Sequence, residues 1–480
     1  MSDVGLLSPG AHRGAEHTDD TAVLQALLDA EASWVAAQAS AGLAPAGAAA
    51  SARAAARAAD YDAADVALRA EGGGNPVIPL LADYRHRLGQ LDPAAVRFVH
   101  RGLTSQDVMD TALMLLVHRA AEPLTRQLAA VQESLARLAA AHRGTVQAAR
   151  TLTQHALPTT FGLKAAHWLA GLQDLEEDLG RLRRLPVSYG GAAGSLAASL
   201  ALFPDAPDAD VRALDLARRW AGELGLDLPP HVWHTARWPV LRAGDTLAAV
   251  CSALGRIAND VLLLSRPELG ELREPAAEGR GVSSAMPQKQ NPVLSVLLKR
   301  TALSAPQLAA QLHVAASLVV DERPDGSWHT EWPALRELAR LAVAASSHAA
   351  ELTGGLVVDP ARMRANLDAS GPAVLAERIS AALAPLLPTA DGATGKQRVQ
   401  AVVREHATDR AGMARALVRL AEGAALPGGR PVDESFVAGL LDPAGYLGAN
   451  DLLIDQVLER HRRGANDRPS TSRTTPGDPA

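Results

Sequence analysis

The chain has 480 residues and a formal net charge of −6, with apolar residues at 48% but aromatics at only 3%. That length suffices for two or three domains and a large core, and the alanine- and leucine-rich composition favours helix over sheet. No polybasic block points to nucleic acid, the lone Cys251 excludes an internal disulfide and thiolate-rich metal sites, and no run of about 18 strongly apolar residues marks a membrane span.

The N-terminal stretch MSDVGLLSPGAHRGAEHTDD has no basic segment followed by an apolar core, so no signal peptide is expected and a cytoplasmic location is the default. Residues 1–18 are expected to form a flexible tail. A helix is expected from the cap-like Thr18-Asp19-Asp20, with Leu24, Leu27, Leu28 and Val35 on one face. GGGNPVIP (Gly72 to Pro79) is expected to be a loop. Leu124, Leu128, Val131, Leu135 and Leu138 recur at steps of four and three, and Leu247, Val250, Leu254, Ile257, Val261 and Leu264 do the same. These are the stripes of long helices packed side by side in a bundle. Another long helix is expected from Val293 to about Val320. No run of alternating strand residues stands out, so the expected fold class is all-α. From Gly464 onwards the chain is polar and rich in Pro, Ser and Thr, and is expected to be disordered.

Four polar stretches interrupt the helical pattern: HRGLTSQDVMDTA (His100 to Ala112), RTLTQHALPTTFG (Arg150 to Gly162), GVSSAMPQKQNP (Gly281 to Pro292) and DERPDGSWHTEWPAL (Asp321 to Leu335). Each has an ordinary structural reading. Thr104-Ser105-Gln106-Asp107 can cap the next helix, and His155 can be a satisfied core histidine. Ser283 and Ser284 can cap the helix that Pro292 helps open, and Arg323 and Asp325 can be a surface turn pair. Their joint character favours a site: all carry hydroxyl, amide or cationic groups suited to an anionic organic molecule. The phosphate loops GxxxxGK[ST] and GxGxxG are absent, GGAAG at Gly190 to Gly194 lacks the fingerprint, and neither HExxH, a zinc-deaminase PCxxC nor GxSxG occurs. The expectation is chemistry with no cofactor and no metal.

GVSSAMPQKQNP resembles the GSSxMPxKxNP signature of the fumarase/aspartase superfamily, and the His100 and Arg150 stretches resemble its first and second conserved regions in order and spacing. The resemblance covers roughly residues 20–460. Within the superfamily, QHALPTTFGLKAAHWL (Gln154 to Leu169) and VDERPDGSWHTEWPAL (Val320 to Leu335) are most similar to bacterial 3-carboxy-cis,cis-muconate cycloisomerase. It implies three helical domains, here 19–103, 104–345 and 346–463, with a tail at 464–480. The central domain would give its long helices to a twenty-helix core in a homotetramer. It also implies sites shared between subunits, with region one, region two and the serine loop arriving from three chains.

The superfamily removes a proton beside a carboxylate, and the resulting doubly charged enolate-like carboxylate demands pre-placed donors. The resemblance implies Ser283 as catalytic base, with His155 and Lys289 as the other catalytic groups. A serine hydroxyl is a poor base, so its oxyanion needs loop amides and a cation. His100, Thr104, Ser105, Thr151, Gln154, Ser284, Asn291 and Arg323 are expected to bind a small polycarboxylate substrate. The activity expected first is cycloisomerisation of 3-carboxymuconate to a carboxylated lactone in protocatechuate breakdown. A lyase releasing an amine, nitrite or another group to give fumarate is the alternative, and a non-catalytic helical assembly is disfavoured by the intact Ser283, Lys289 and Asn291.

Departures bear on the substrate. Leu152 stands where adenylosuccinate lyases carry a histidine, and Trp332 where they place an arginine for the nucleotide, which argues against a phosphate-bearing substrate. Muconate cycloisomerases usually read GGSSTMPHKRNP; this chain has Val282, Ala285, Gln288 and Gln290 instead, and Trp238-Pro239 replaces an acidic-basic pair.

Overall fold

In the computed structural model, residues 5–466 are described. They are overwhelmingly helical, with two short antiparallel strand pairs. The described residues divide into two compact units: those up to 130 with 174–259 and 293–351 form the first, and 131–173, 260–292 and those from 352 on form the second.

In the first unit, the helix Asp20–Ser40 starts where the cap-like sequence places it: Asp19 accepts a hydrogen bond from the Ala22 N–H. Leu24, Leu27, Leu28 and Val35 are all buried, and Trp34 packs against Tyr189 and Trp220. Residues 5–18, expected as a loose tail, instead hold a short helix, His12–Ala15. Arg13 binds Ser347 and Glu351, and Thr18 is fully buried. The helices Trp238–Leu264 and Val293–Ser317 approach closely at Gly255, where a Cβ would lie 2.2 Å from that of Ala302.

Leu124, Leu128, Val131 and Leu135 are buried within this one chain, as is the whole Leu247 to Leu264 stripe, while Leu138 is half-buried. The stripes are therefore spent on packing inside the chain. The apolar side chains left in solvent include Val296, Leu303 and Val314, on the Val293–Ser317 helix. Trp238–Leu264, although interrupted by charged residues, is long and apolar enough by length and mean composition to cross a membrane, and 56% of its apolar window is buried inside the chain.

The second unit adds to the helical frame a strand pair that no alternating run of residues in the sequence indicates. Region two is a hairpin, Val146–Thr151 paired with Gln154–Thr160. Leu152 and Thr153 form its two-residue turn, with φ of 49° and 69°. Such primed turns match the strand twist but favour Asn or Gly, so placing a leucine and a β-branched threonine there stores about 1–3 kcal/mol per residue. β-branched Val146, Thr151, Thr159 and Thr160 fit the strands. Thr160 then starts the next helix, Phe161–Gln173, by accepting from the Leu163 N–H. The remaining core is C-terminal, around Leu375, Ile379, Leu383, Val399, Met413, Leu417 and Val437. The helix Asn450–Asn466 continues three residues into the expected tail, and 467–480 lies outside the described residues.

Candidate active site

In the first unit, region one sits at the start of the 37-residue helix Ser105–Ala141. Thr104 precedes it, and its hydroxyl accepts from Arg323 Nη1 at 3.1 Å, leaving its own O–H free to donate. A hydroxyl, a guanidinium and a helix N-terminus meet here, a combination suited to a carboxylate. Arg323 also lies over the Trp328 ring, 5.4 Å from its centroid. His100, at φ 62°, places Nδ1 2.6 Å from the Glu31 carboxylate.

Two buried carboxylates hold this arrangement. Asp107 accepts from the backbone N–H groups of Thr104, Gly190 and Gly191 and lies 2.8 Å from His234 Nε2, tying region one to the GGAAG turn. Asp110 takes a bidentate pair from Arg237 at 2.7 and 2.9 Å, and Trp328 Nε1 at 2.8 Å. Arg237 also binds Glu331 at 2.6 Å, and all three charged groups are buried. Burial raises the Glu331 carboxyl above its ordinary range, Asp110 adds to this and Arg237 opposes it. The cluster joins region one, the 230s and the fourth polar stretch. Asp107 and Asp110 lie in the first polar stretch, one helical turn apart, but nothing local announces His234 as the partner of the one or Arg237 as that of the other.

In the second unit, the stretch Gly281–Asn291 closes into a loop, with an antiparallel bridge between Val282 and Gln290. Ser283 is the half-buried hydroxyl of an otherwise exposed tip. Its Oγ accepts from the backbone N–H of Met286 at 3.1 Å and from that of Ala285 at 3.4 Å. Those donors would stabilise an alkoxide at Ser283. Lys289 and Ser284 are exposed, and no described residue forms an ion pair with the Lys289 ammonium. Asn291 donates its side-chain amide to the Gly281 carbonyl, so that N–H shapes the loop instead of facing a ligand.

The hairpin presents Thr151, Gln154 and His155, all exposed. Gln154 donates to the Thr153 hydroxyl at 3.3 Å. Burial and then the Arg150 charge lower the His155 pKa below the ordinary imidazole value, with Glu271 pulling the other way. A neutral imidazole at neutral pH is a proton acceptor. No hydrogen bond or ion pair among the described residues joins His155 to Ser283 or Lys289. His100, Thr104, Ser105 and Arg323 thus belong to the first unit, and Thr151, Gln154, His155, Ser283, Ser284, Lys289 and Asn291 to the second.

Comparison with known proteins places the whole chain. Residues 15–305 match the lyase family. The chain is 43% identical to a nitrosuccinate lyase of Streptomyces davaonensis, over 95% of this chain and 94% of that one. It is 38% identical to a 3-carboxy-cis,cis-muconate cycloisomerase of Bradyrhizobium diazoefficiens, over 95% and 97%. Among solved structures, the 3-carboxy-cis,cis-muconate lactonizing enzyme of Pseudomonas putida superposes with a TM-score of 0.80 at 33% identity, covering 94% of this chain and 97% of that one. With these matches along nearly its whole length and a helical frame shared with them, this chain is an enzyme of the lyase family within the fumarase/aspartase superfamily.

Proposed function

We propose that the protein is a lyase that expels nitrite from a nitrosuccinate-type dicarboxylate to leave fumarate. The carrying observation is the serine loop. Where muconate cycloisomerases usually have two more cationic or ionisable positions, this loop has Gln288 and Gln290, leaving Lys289 as its one cation. Fewer positive charges suit a dicarboxylate better than the tricarboxylate 3-carboxymuconate. Identity points the same way, at 43% to the nitrosuccinate lyase against 38% to the cycloisomerase, over equal shares of this chain.

In the reaction, Ser283 as alkoxide takes a proton from the carbon beside one carboxylate. The electron pair moves into that carboxylate, and Lys289 and the region-one donors hold the added negative charge. The pair then returns to form the C=C bond as the neighbouring C–N bond breaks, and nitrite leaves with the bonding electrons. Nitrite is a weakly basic anion and needs no proton to depart at neutral pH, so His155 serves in moving the abstracted proton to and from Ser283. Complete sites take region one, region two and the serine loop from different subunits of a tetramer.

Lactonisation of 3-carboxymuconate is the second reading, favoured by VDERPDGSWHTEWPAL at Val320 to Leu335. Parallel assays separate the two. The first reading expects nitrite and fumarate from 2-nitrosuccinate in equal amounts, and the second expects loss of the conjugated-diene absorbance of 3-carboxymuconate.

A further inference from the structure

Ser370 is the C-cap of the helix Pro360–Ala369, 215 residues from His155 in the chain. Its hydroxyl oxygen lies within hydrogen-bond reach of His155 Nδ1 and also 3.3 Å from the Asn366 carbonyl oxygen. A carbonyl can only accept, so the one hydroxyl proton goes to Asn366 and a lone pair faces the imidazole. In the arrangement that satisfies both contacts, His155 Nδ1 carries the proton, which leaves Nε2 bare. Nothing in the sequence marks this serine.

The same helix is fastened to the hairpin at a second point. The Asn366 side-chain amide donates to Glu271 Oε1 at 2.8 Å and to the Leu269 carbonyl at 2.9 Å. Glu271 is fully buried and takes both terminal nitrogens of Arg150, at 3.1 and 2.5 Å. Arg150 is the cross-strand partner of His155. One helical turn, Asn366 to Ser370, thus holds both members of a cross-strand pair, one through a buried carboxylate and one directly.

We infer that Ser370 is a positioning residue: it locks the His155 ring in the tautomer whose Nε2 can take up a proton. This rests on the reading of His155 as a proton-transfer group. Orientation of a base by a group on its far side is how a catalytic imidazole keeps the right nitrogen free. Two charged groups also bear on this ring, Arg150 and Glu271, and both remain when Ser370 is changed.

The test compares Ser370→Ala, Ser370→Thr and His155→Gln with the parent enzyme, all as full-length chains. Nitrogen resonance spectra of histidine-labelled protein report the tautomer, with the His155 ring identified as the signal missing from His155→Gln. The expected result is a protonated Nδ1 in the parent and a mixture of tautomers in Ser370→Ala. With whichever of the two substrates is turned over, kcat should fall roughly tenfold in Ser370→Ala with little change in KM. The acid limb of its pH profile should move to lower pH, because the imidazolium loses an acceptor. Ser370→Thr, which keeps the hydroxyl, should restore both. A parent ring protonated at Nε2 overturns the inference, as does a Ser370→Ala protein with unchanged tautomer and kcat beside a crippled His155→Gln. Unchanged kcat in both Ser370→Ala and His155→Gln overturns the underlying reading of His155 in the reaction.

Discussion

Gly281 and Asn291 clamp the serine loop at its base: the Gly281 carbonyl accepts the Asn291 backbone N–H at 2.9 Å and its side-chain amide at 3.1 Å. Gly281 sits at φ +72°, and a Cβ there would lie 2.6 Å from the Asn291 carbonyl oxygen. Any larger residue strains the backbone and pries the clamp open. Gly281→Ala should reduce turnover on the order of a hundredfold by misplacing Ser283, with the thermal midpoint unchanged because the loop covers little core. A normal rate in this variant would contradict the clamp.

Lys289→Met should lower kcat by roughly 10²–10³, the usual loss for one electrostatic group at a developing charge, and Ser283→Ala should do likewise. Circular dichroism and thermal midpoint should stay at parental values, since both side chains lie on an exposed loop. A merely tenfold loss in Ser283→Ala would move the base role to His155 or Lys289.

Much of this was legible in the sequence, and the rest was hidden for definable reasons. The helix start at Asp19 and the buried stripe from Leu247 to Leu264 follow from local rules of capping and period, and both are present. The hairpin at Val146 to Thr160 was missed because its turn uses Leu152 and Thr153, residues that give no turn signal. Arg237 and Ser370 were missed because their partners, Asp110 and His155, lie 127 and 215 residues away. Asn291 reads as a ligand-binding amide in the motif, and only the folded loop reveals its bond to Gly281.

The Asp110–Arg237–Glu331 cluster should govern stability of the first unit. Arg237→Leu leaves two carboxylates buried without their cation, and removing one partner of such a cluster typically costs about 3–5 kcal/mol. The urea midpoint of Arg237→Leu should fall accordingly, and a shift under about 1 kcal/mol would contradict this account of the cluster.

His348 gives a pH dependence of definite sign. Burial, then the Arg13 and Arg300 charges, lower its pKa from 6.5 to about 4. Between those values the unfolded chain binds a proton that the folded chain does not, so folded-state stability falls as pH drops through this window. His348→Gln removes the effect. Relative to that variant, the parent should lose about 2 kcal/mol between pH 7 and pH 4.5, read from denaturation midpoints. A constant difference would show that the imidazole titrates normally.

Shared sites predict complementation. Inactive Ser105→Ala and inactive Lys289→Met, refolded together, should recover activity in roughly a quarter of sites if each site draws the two loops independently in a closed oligomer. The physical motive is the exposed Val296, Leu303 and Val314 on one helix, an apolar face suited to a second copy. No recovery despite proven subunit exchange would rule the shared site out.

The most direct test of the central proposal is a paired product assay on purified enzyme given 2-nitrosuccinate. The account predicts nitrite and fumarate in equal amounts, with both lost in Ser283→Ala. No nitrite, together with rapid loss of diene absorbance from 3-carboxymuconate by the same preparation, would contradict it and make the enzyme a cycloisomerase.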